Sequence, residues 1–237
     1  MKKIFRFTLL LLSVIISSCG TYAYKSVSAK TPLFAKKNDF VGQLSLGGAG
    51  GEIHAAYAPL NYVGAMFSYA GSNRNTDSSL SSYGRKFKDF EVAIVPFYPY
   101  EDMRFEMPIG IGFTKSTGLQ GAINSISPYT RSFIQPTIGY HWEKIELAAF
   151  MRITNIDYVY SKWGVDRRYE PGIMVRGGSE MVKVMFQMRY DYGTNYSYTP
   201  AANLGLYDRV EYLPFHLSFG VNFTLNFDPK KQAENHQ

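Results

Sequence analysis

The chain has 237 residues, 46% of them hydrophobic and 16% aromatic, with 19 Tyr, 17 Phe and 21 Gly. Its formal charge of +6 falls to +3 once Lys2, Lys3 and Arg6 are set aside with the leader that carries them. That surplus is too small to specify an anionic partner, and no basic helix or basic–aromatic motif occurs, which sets nucleic acid aside. A single cysteine excludes an intrachain disulfide and a thiolate metal cluster.

Residues 1–18 have the three parts of a secretory signal peptide. Lys2, Lys3 and Arg6 form a positive head, and Phe7 to Ile16 is an apolar run broken only by Thr8 and Ser13. The run is too short for a permanent membrane helix. Ile16-Ser17-Ser18-Cys19 follows. It resembles the lipobox of bacterial lipoproteins, in which an aliphatic residue and two small ones precede a cysteine. The usual first residue is Leu, so Ile16 is a departure. The resemblance implies that Cys19 receives a diacylglyceryl group, becomes the new N-terminus and is acylated again, for instance with palmitate. Several acyl chains at about 0.8 kcal/mol per buried CH₂ make a lasting anchor, where one chain binds only marginally. An ordinary cleaved signal with an incidental cysteine is the plainer alternative. The only cysteine of the chain falling at the end of the apolar run argues against it.

Residues 19–39 are polar, Tyr- and Lys-containing, with Pro32 and no clear period, so they read as a lipidated linker between the lipid and a domain. Thr31-Pro32-Leu33-Phe34, then Lys36-Lys37, a Gly-rich turn with Gly48 and Gly51, Ala55-Ala56-Tyr57-Ala58, and Gly64, Met66 and Tyr69 follow in order. This stretch of roughly forty residues resembles uncharacterised outer-membrane β-barrel lipoproteins of the Bacteroidota. The resemblance implies a barrel lipoprotein and brings no activity with it.

Residues 40–227 read as strands. From Phe215 to Phe227 every odd position is apolar and every even one polar or Gly, so one face of a strand is apolar throughout. Met103–Phe113, Lys144–Thr154, Val182–Tyr190 and Val63–Tyr69 alternate in the same way. Weaker matches cover 40–47, 50–58, 88–97, 131–141 and 169–176. Short connections (59–61, 98–102, 141–143, 176–179) alternate with long ones rich in Ser, Asn, Gly and Tyr (71–86, 114–130, 155–168, 191–210). Outer-membrane barrels have short periplasmic turns and longer outside loops. The expected fold is therefore all-β: an antiparallel, up-and-down transmembrane β-barrel of about ten strands, with both ends periplasmic. Eight strands plus an accessory hairpin is the alternative, because Pro96, Pro108 and Pro136 fall within expected strands and the eighth strand is ill-defined. Residues 228–237 form a polar C-terminal tail. Tyr and Trp near the strand ends, Tyr57, Tyr62, Tyr98, Tyr140 and Trp142 among them, suit an interfacial girdle.

Alternation alone does not say which face is inside. A membrane barrel turns the apolar face to lipid; a periplasmic, lipid-tethered soluble barrel would turn it inward around a small apolar ligand. On the membrane reading the lumen receives Glu52, Glu91, Glu106 and Glu146 with Arg104, Lys144, Arg152, Lys183 and Arg189. Near balance of sign favours a plug of salt bridges over an ion path or proton relay, since unpaired buried charge is costly. No metal motif and no cofactor loop occurs, so neither a metal nor a cofactor is expected. The aspartate/histidine barrel proteases need an Asp-x-His and a paired Asp that this sequence lacks. His216-Leu217-Ser218 is the best candidate for a lipid-acting hydrolase or acyltransferase, and lumen lining is the better account of it. No catalysis is expected. The working surface is expected in the outer loops, where Trp163, Arg167, Arg168, Tyr196 and Tyr198 suit sugar rings and phosphates. The expected role is structural or surface-binding in the bacterial outer membrane, with membrane lipid, lipopolysaccharide or surface glycan as partners, besides the barrel-assembly and lipoprotein-sorting machinery.

Overall fold

A computed structural model describes residues 27–78, 81–120, 123–126, 128–158, 165–193 and 215–227. The signal peptide, Cys19 and the C-terminal tail lie outside the described residues, as do Trp163, Tyr196 and Tyr198.

In chain order the strands are β1 (Asp39–Gly47), β2 (Gly50–Tyr57), β3 (Val63–Ser78), β4 (Ser81–Tyr100), β5 (Met103–Glu106), β6 (Ile109–Gln120) and β7 (Ile123–Ile126). They continue as β8 (Tyr129–Ile134), β9 (Thr137–Trp142), β10 (Ile145–Tyr158), β11 (Val165–Gly178), β12 (Val182–Tyr190), β13 (Tyr192–Gly193) and β14 (Phe215–Asn226). Three passages of the wall are made of two pieces each: β5 with β6, β8 with β9, and β12 with β13, while β7 is a hairpin arm on β6. The wall therefore has ten staves, each antiparallel to its sequence neighbours. β1 pairs with both β2 (Leu44↔Ile53) and β14 (Leu44↔Val221), which closes the sheet into an up-and-down barrel. Closure leaves no free edge.

The period-2 pattern is realised with the apolar side out. Along β12, Val182, Val184, Phe186, Met188 and Tyr190 face outward, while Lys183, Met185, Gln187 and Arg189 are buried. Val184 is 66% exposed and Leu46 70%, whereas Arg152 and Glu91 are 0% exposed. A soluble barrel around an apolar ligand requires the opposite polarity, so that alternative is overturned.

Two breaks fall at prolines. Pro108 separates β5 from β6 and Pro136 separates β8 from β9, because neither can donate to the ladder. Their carbonyls still accept from the next stave: Gln135 N–H to Pro108 O, 2.9 Å, and Met151 N–H to Pro136 O, 3.0 Å. The count is thus ten, and β11, the eighth stave, is a full strand of 14 residues.

The connections differ from expectation at one end. At the near end, where β1 starts and β14 stops, residues 58–62, 101–102, 143–144 and 179–181 connect the staves. At the far end, the expected loops at 71–86, 114–130 and 155–168 are largely continued hairpins. β3 and β4 pair as far as Ser78↔Ser81, and β10 and β11 as far as Asp157↔Val165. Their composition, rich in Ser, Asn, Gly and Tyr, hid these extensions, because no apolar period marks them in the sequence. β1 and β2 are shorter and turn at Gly48-Ala49. Gly50 there has φ +105, and a Cβ would lie 2.4 Å from Gly71 O. Gly50→Ala is therefore expected to destabilise the barrel by roughly 1–3 kcal/mol, measured as a lowered urea midpoint after refolding into lipid vesicles.

The largest correction concerns residues 27–39. The expected tether does not hang outside the domain. Residues 27–34 are all buried and run through the lumen, antiparallel to β1. Phe34 lies at the near end among Val41, Ala58, Val95 and Phe97, its ring 5.2 Å from that of Phe97. Val27 lies at the far end with Ala49, Ala70 and Phe87. The chain turns into β1 at Ala35–Asn38, where the Asp39 carboxylate accepts from the N–H groups of Ala35 and Lys36, both at 2.9 Å. Asn38 takes φ +67, in the left-handed region that Asn tolerates.

A strapped and ion-paired lumen as the candidate functional site

The strap is held by the charges that the strands point inward. Glu52 of β2 accepts from Ser28 N–H at 3.0 and 3.1 Å and from the Lys30 ammonium at 2.5 Å. Glu106 at the end of β5 accepts from Phe34 N–H at 2.7 Å. Arg176 of β11 donates to the Thr31 and Pro32 carbonyls, and Gln135 donates to Lys30 O at 2.8 Å. The Thr31 hydroxyl meets Met174 Sδ at 2.9 Å. These bonds satisfy backbone groups that an extended segment cannot pair with itself. Leu33 and Ala29 add apolar contact with Ala148, Phe150, Met174 and Met185.

Beside the strap the lumen is filled by ion pairs in three groups. Glu91 of β4 is the hub of the first. Arg131 of β8 donates to it from Nε at 3.0 Å and Nη2 at 2.7 Å, Arg152 donates from the adjacent β10, and the Ser68 hydroxyl adds a bond at 3.2 Å. Arg131 also pairs with Asp89, which takes the Thr114 hydroxyl at 2.5 Å, and Arg152 lies 3.9 Å over the ring of Phe133. At the near end Glu146 collects Lys183 at 2.8 Å, Arg176 at 3.5 Å and His141 Nδ1 at 3.3 Å. Toward the far end Arg189 pairs with Glu170 at 2.8 Å and Arg168 with Asp191 at 3.0 Å. Among the described residues seven acidic and seven basic side chains are buried. Balance on that scale lets a low-dielectric lumen hold charge without a net excess.

Of the nine residues expected here, Glu52, Glu91, Glu106, Arg152, Lys183 and Arg189 are buried in the lumen, and Glu146 lines it half-exposed. Lys144 is a correction: it sits in the near-end turn after Trp142 and is exposed. Arg104 is another: its guanidinium turns back to the Glu101 and Met103 carbonyls, at 2.6 and 2.9 Å, instead of crossing the lumen. Arg168 corrects the expected loop surface. It is 2% exposed and inside the barrel, while Arg167 beside it faces outward and donates to Asn155 Oδ1 at 2.8 Å. Lys30, Asp89, Arg131, Glu170, Arg176 and Asp191 complete the interior and had not been singled out. Asp89, Arg131, Glu170 and Arg176 stood on strands of weaker alternation, Asp191 in an expected loop, and Lys30 in the expected linker.

His216 and Ser218 share the inward face of β14. The Ser218 hydroxyl donates to Gln187 Oε1 at 3.2 Å, and His216 Nε2 faces Asp191 at 4.0 Å. The serine proton is thus directed to an amide and the imidazole to a carboxylate that Arg168 already holds. Among the described residues no group of three or more His, Cys, Asp or Glu side chains converges as a metal site would need.

The chain matches no protein-family model. No curated protein matches its sequence. Among solved structures the barrel is similar to the outer membrane protease OmpT of Escherichia coli, at 13% identity over 84% of this chain and 99% of that one, with a TM-score of 0.41. It is also similar to the outer-membrane expressed OmpT of Vibrio cholerae, at 10% identity over 90% of this chain and 74% of that one, with a TM-score of 0.35.

Proposed function

We propose that this chain is a lipid-anchored barrel of the bacterial outer membrane, occluded by its own N-terminal strap, with a structural or surface-binding role. The observation that carries the reading is the polarity of the wall: bulky apolar side chains outward on every stave, ion pairs and strap inward. In water such an outer face is an aggregation surface; in a bilayer it is the required one. The aromatic ends Tyr62, Tyr98, Tyr140 and Trp142 are exposed at the near rim, where headgroups would meet them. The likeness of residues 31–69 to Bacteroidota barrel lipoproteins supports that reading. The lipobox supports acylation at Cys19, with delivery by lipoprotein-sorting and barrel-assembly machinery. We assign no catalytic step to the lumen. Carbonate washing of membranes and electrophoresis before and after boiling test the proposal. The Cys19→Ala protein is expected to remain in the carbonate-resistant fraction and to shift on heating. Its release into the soluble fraction would show that the acyl chains alone hold it.

A specific outward feature supports the surface-binding role. Lys88 of β4 and Lys115 of β6 are direct cross-strand partners on the outer face. Such like-charge pairs are destabilising unless an anion lies between them. Just below them, toward the near end, Tyr69, Phe90 and Phe113 form one register row along an open apolar groove. A phosphorylated, acylated glycolipid such as the lipid portion of lipopolysaccharide has matching chemistry, its phosphate at the lysines and an acyl chain on the rings. This site replaces the Arg167–Arg168 pair, one member of which is internal. Lys88→Glu with Lys115→Glu is expected to abolish preferential binding of the detergent-purified barrel to lipid A vesicles over phosphatidylcholine vesicles; unchanged preference would remove the site.

A further inference from the structure

The direction of the strap fixes where the chain before it must go. Phe34 is at the near end and Val27 at the far end, beneath the β1–β2 turn. Ser28 shares the wall of a small cavity with Gly48, Arg189, His216 and Ser218, all at the far end of their staves. The far rim is lowest at this place. β1 and β2 turn at Gly48-Ala49, whereas β3 and β4 continue for seven more register pairs, from Ser72↔Phe87 to Ser78↔Ser81. The outer face of the low wall carries Leu44, Leu46 and Ile53, each at least half exposed.

We infer that the N-terminal segment enters the barrel from the far mouth, so that the residues ahead of Val27 and the C-terminal end of β14 leave on opposite faces. With the far face outward, as the longer far-end connections of the proposed orientation require, Cys19 lies on the cell surface. Its acyl chains then enter the outer leaflet beside Leu44 and Leu46. This rests on the reading of Cys19 as lipidated, and it reverses the inner-leaflet anchor that a near-end tether would give. Seven residues lie between Cys19 and Val27, eight steps of chain with a reach of at most about 28 Å fully extended. A return to the near face through the lumen would need the cross-section that Thr31 to Phe34 already occupies. A return along the outer wall would draw unpaired backbone through some 30 Å of hydrocarbon.

Cysteine labelling in whole cells with a membrane-impermeant maleimide tests this, since Cys19 is the only thiol of the wild-type chain. Two reporters are needed: Tyr22→Cys, ahead of the strap, and Glu180→Cys, in the exposed near-end turn. The wild-type chain is expected to take no label, because its thiol is acylated; labelling of it would defeat the lipid reading alone. Tyr22→Cys is then expected to label in intact cells and Glu180→Cys only after the outer membrane is permeabilised. The reverse pattern would overturn the surface location through the barrel's orientation, while leaving the threading in place. Both reporters labelling from the same side, or Tyr22→Cys labelling in neither condition, would overturn the threading itself. Radiolabelled palmitate uptake by the wild type and not by Cys19→Ala reads the anchor independently of either reporter.

Discussion

Replacing Glu91 by alanine is expected to cost the barrel about 3–5 kcal/mol, the size of effect seen when one partner of a buried ion pair is removed. Against a total stability of about 5–15 kcal/mol, that is enough to lower the fraction of heat-modifiable, folded protein. The carboxylate is fully buried and serves two guanidiniums, Arg131 and Arg152, which come from the adjacent strands β8 and β10. Without it Arg131 keeps Asp89, and Arg152, which loses its carboxylate, keeps the Thr154 hydroxyl at 3.4 Å and the face of Phe133. Glu91→Gln keeps the shape and an acceptor oxygen and is expected to cost less. Glu91→Leu combined with Arg152→Met is expected to recover most of the loss, because it removes one charge of each sign and leaves Arg131 paired with Asp89. Urea midpoints after refolding into vesicles give all four values. A loss below about 1 kcal/mol for Glu91→Ala, the range of solvated surface pairs, would mean that water already screens these charges and that the lumen is wet.

The wall was legible because lipid imposes a strict rule on it. Val182 to Tyr190 has to present an apolar residue at every second position, and the sequence carries that rule unbroken. The inward faces are under looser control. Any polar or small residue fits a lumen, so Arg131, Arg168, Glu170 and Arg176 left no periodic trace on strands whose outward faces were themselves irregular. Arg104 and Lys144 have inward parity but lie within two residues of a near-end turn, and a long side chain there reaches a turn carbonyl or solvent sooner than the lumen. The strap was the least legible part. It has no ladder to enforce a period, and its partners stand far along the chain: Glu52 is 22 residues from Lys30, and Arg176 is 145 from Thr31. One signal was present. Val27, Ala29, Leu33 and Phe34 place large and small apolar groups in a segment that, as a solvated tether, would have no use for them.

Removing the strap is expected to convert the closed barrel into a conducting one. The test compares the purified chain beginning at Gly20 with one beginning at Ala35, each reconstituted in planar bilayers. The truncation takes Phe34 out of its cluster with Val41, Ala58 and Phe97, and takes Leu33 and Ala29 from the apolar layer around Phe150 and Met174. It also strips Glu52 of Lys30 and Ser28, Glu106 of Phe34 N–H, and Arg176 of two carbonyls. Those groups lose protein partners that only water can replace, and the vacated channel connects the two mouths. Discrete current steps are expected from the truncated barrel and none from the full one, with a selectivity set by Glu52, Glu106 and Arg176. If the truncated protein does not refold alone, Phe34→Ala serves instead, at an expected cost of about 3–5 kcal/mol for an aromatic removed from a packed core. Adding a peptide of residues 27–35 to the truncated barrel is expected to restore stability and close the steps. Equal conductance from both chains would show that the strap is no barrier to ions, and a folded, truncated barrel without steps would place the barrier in the ion-pair network around Glu91.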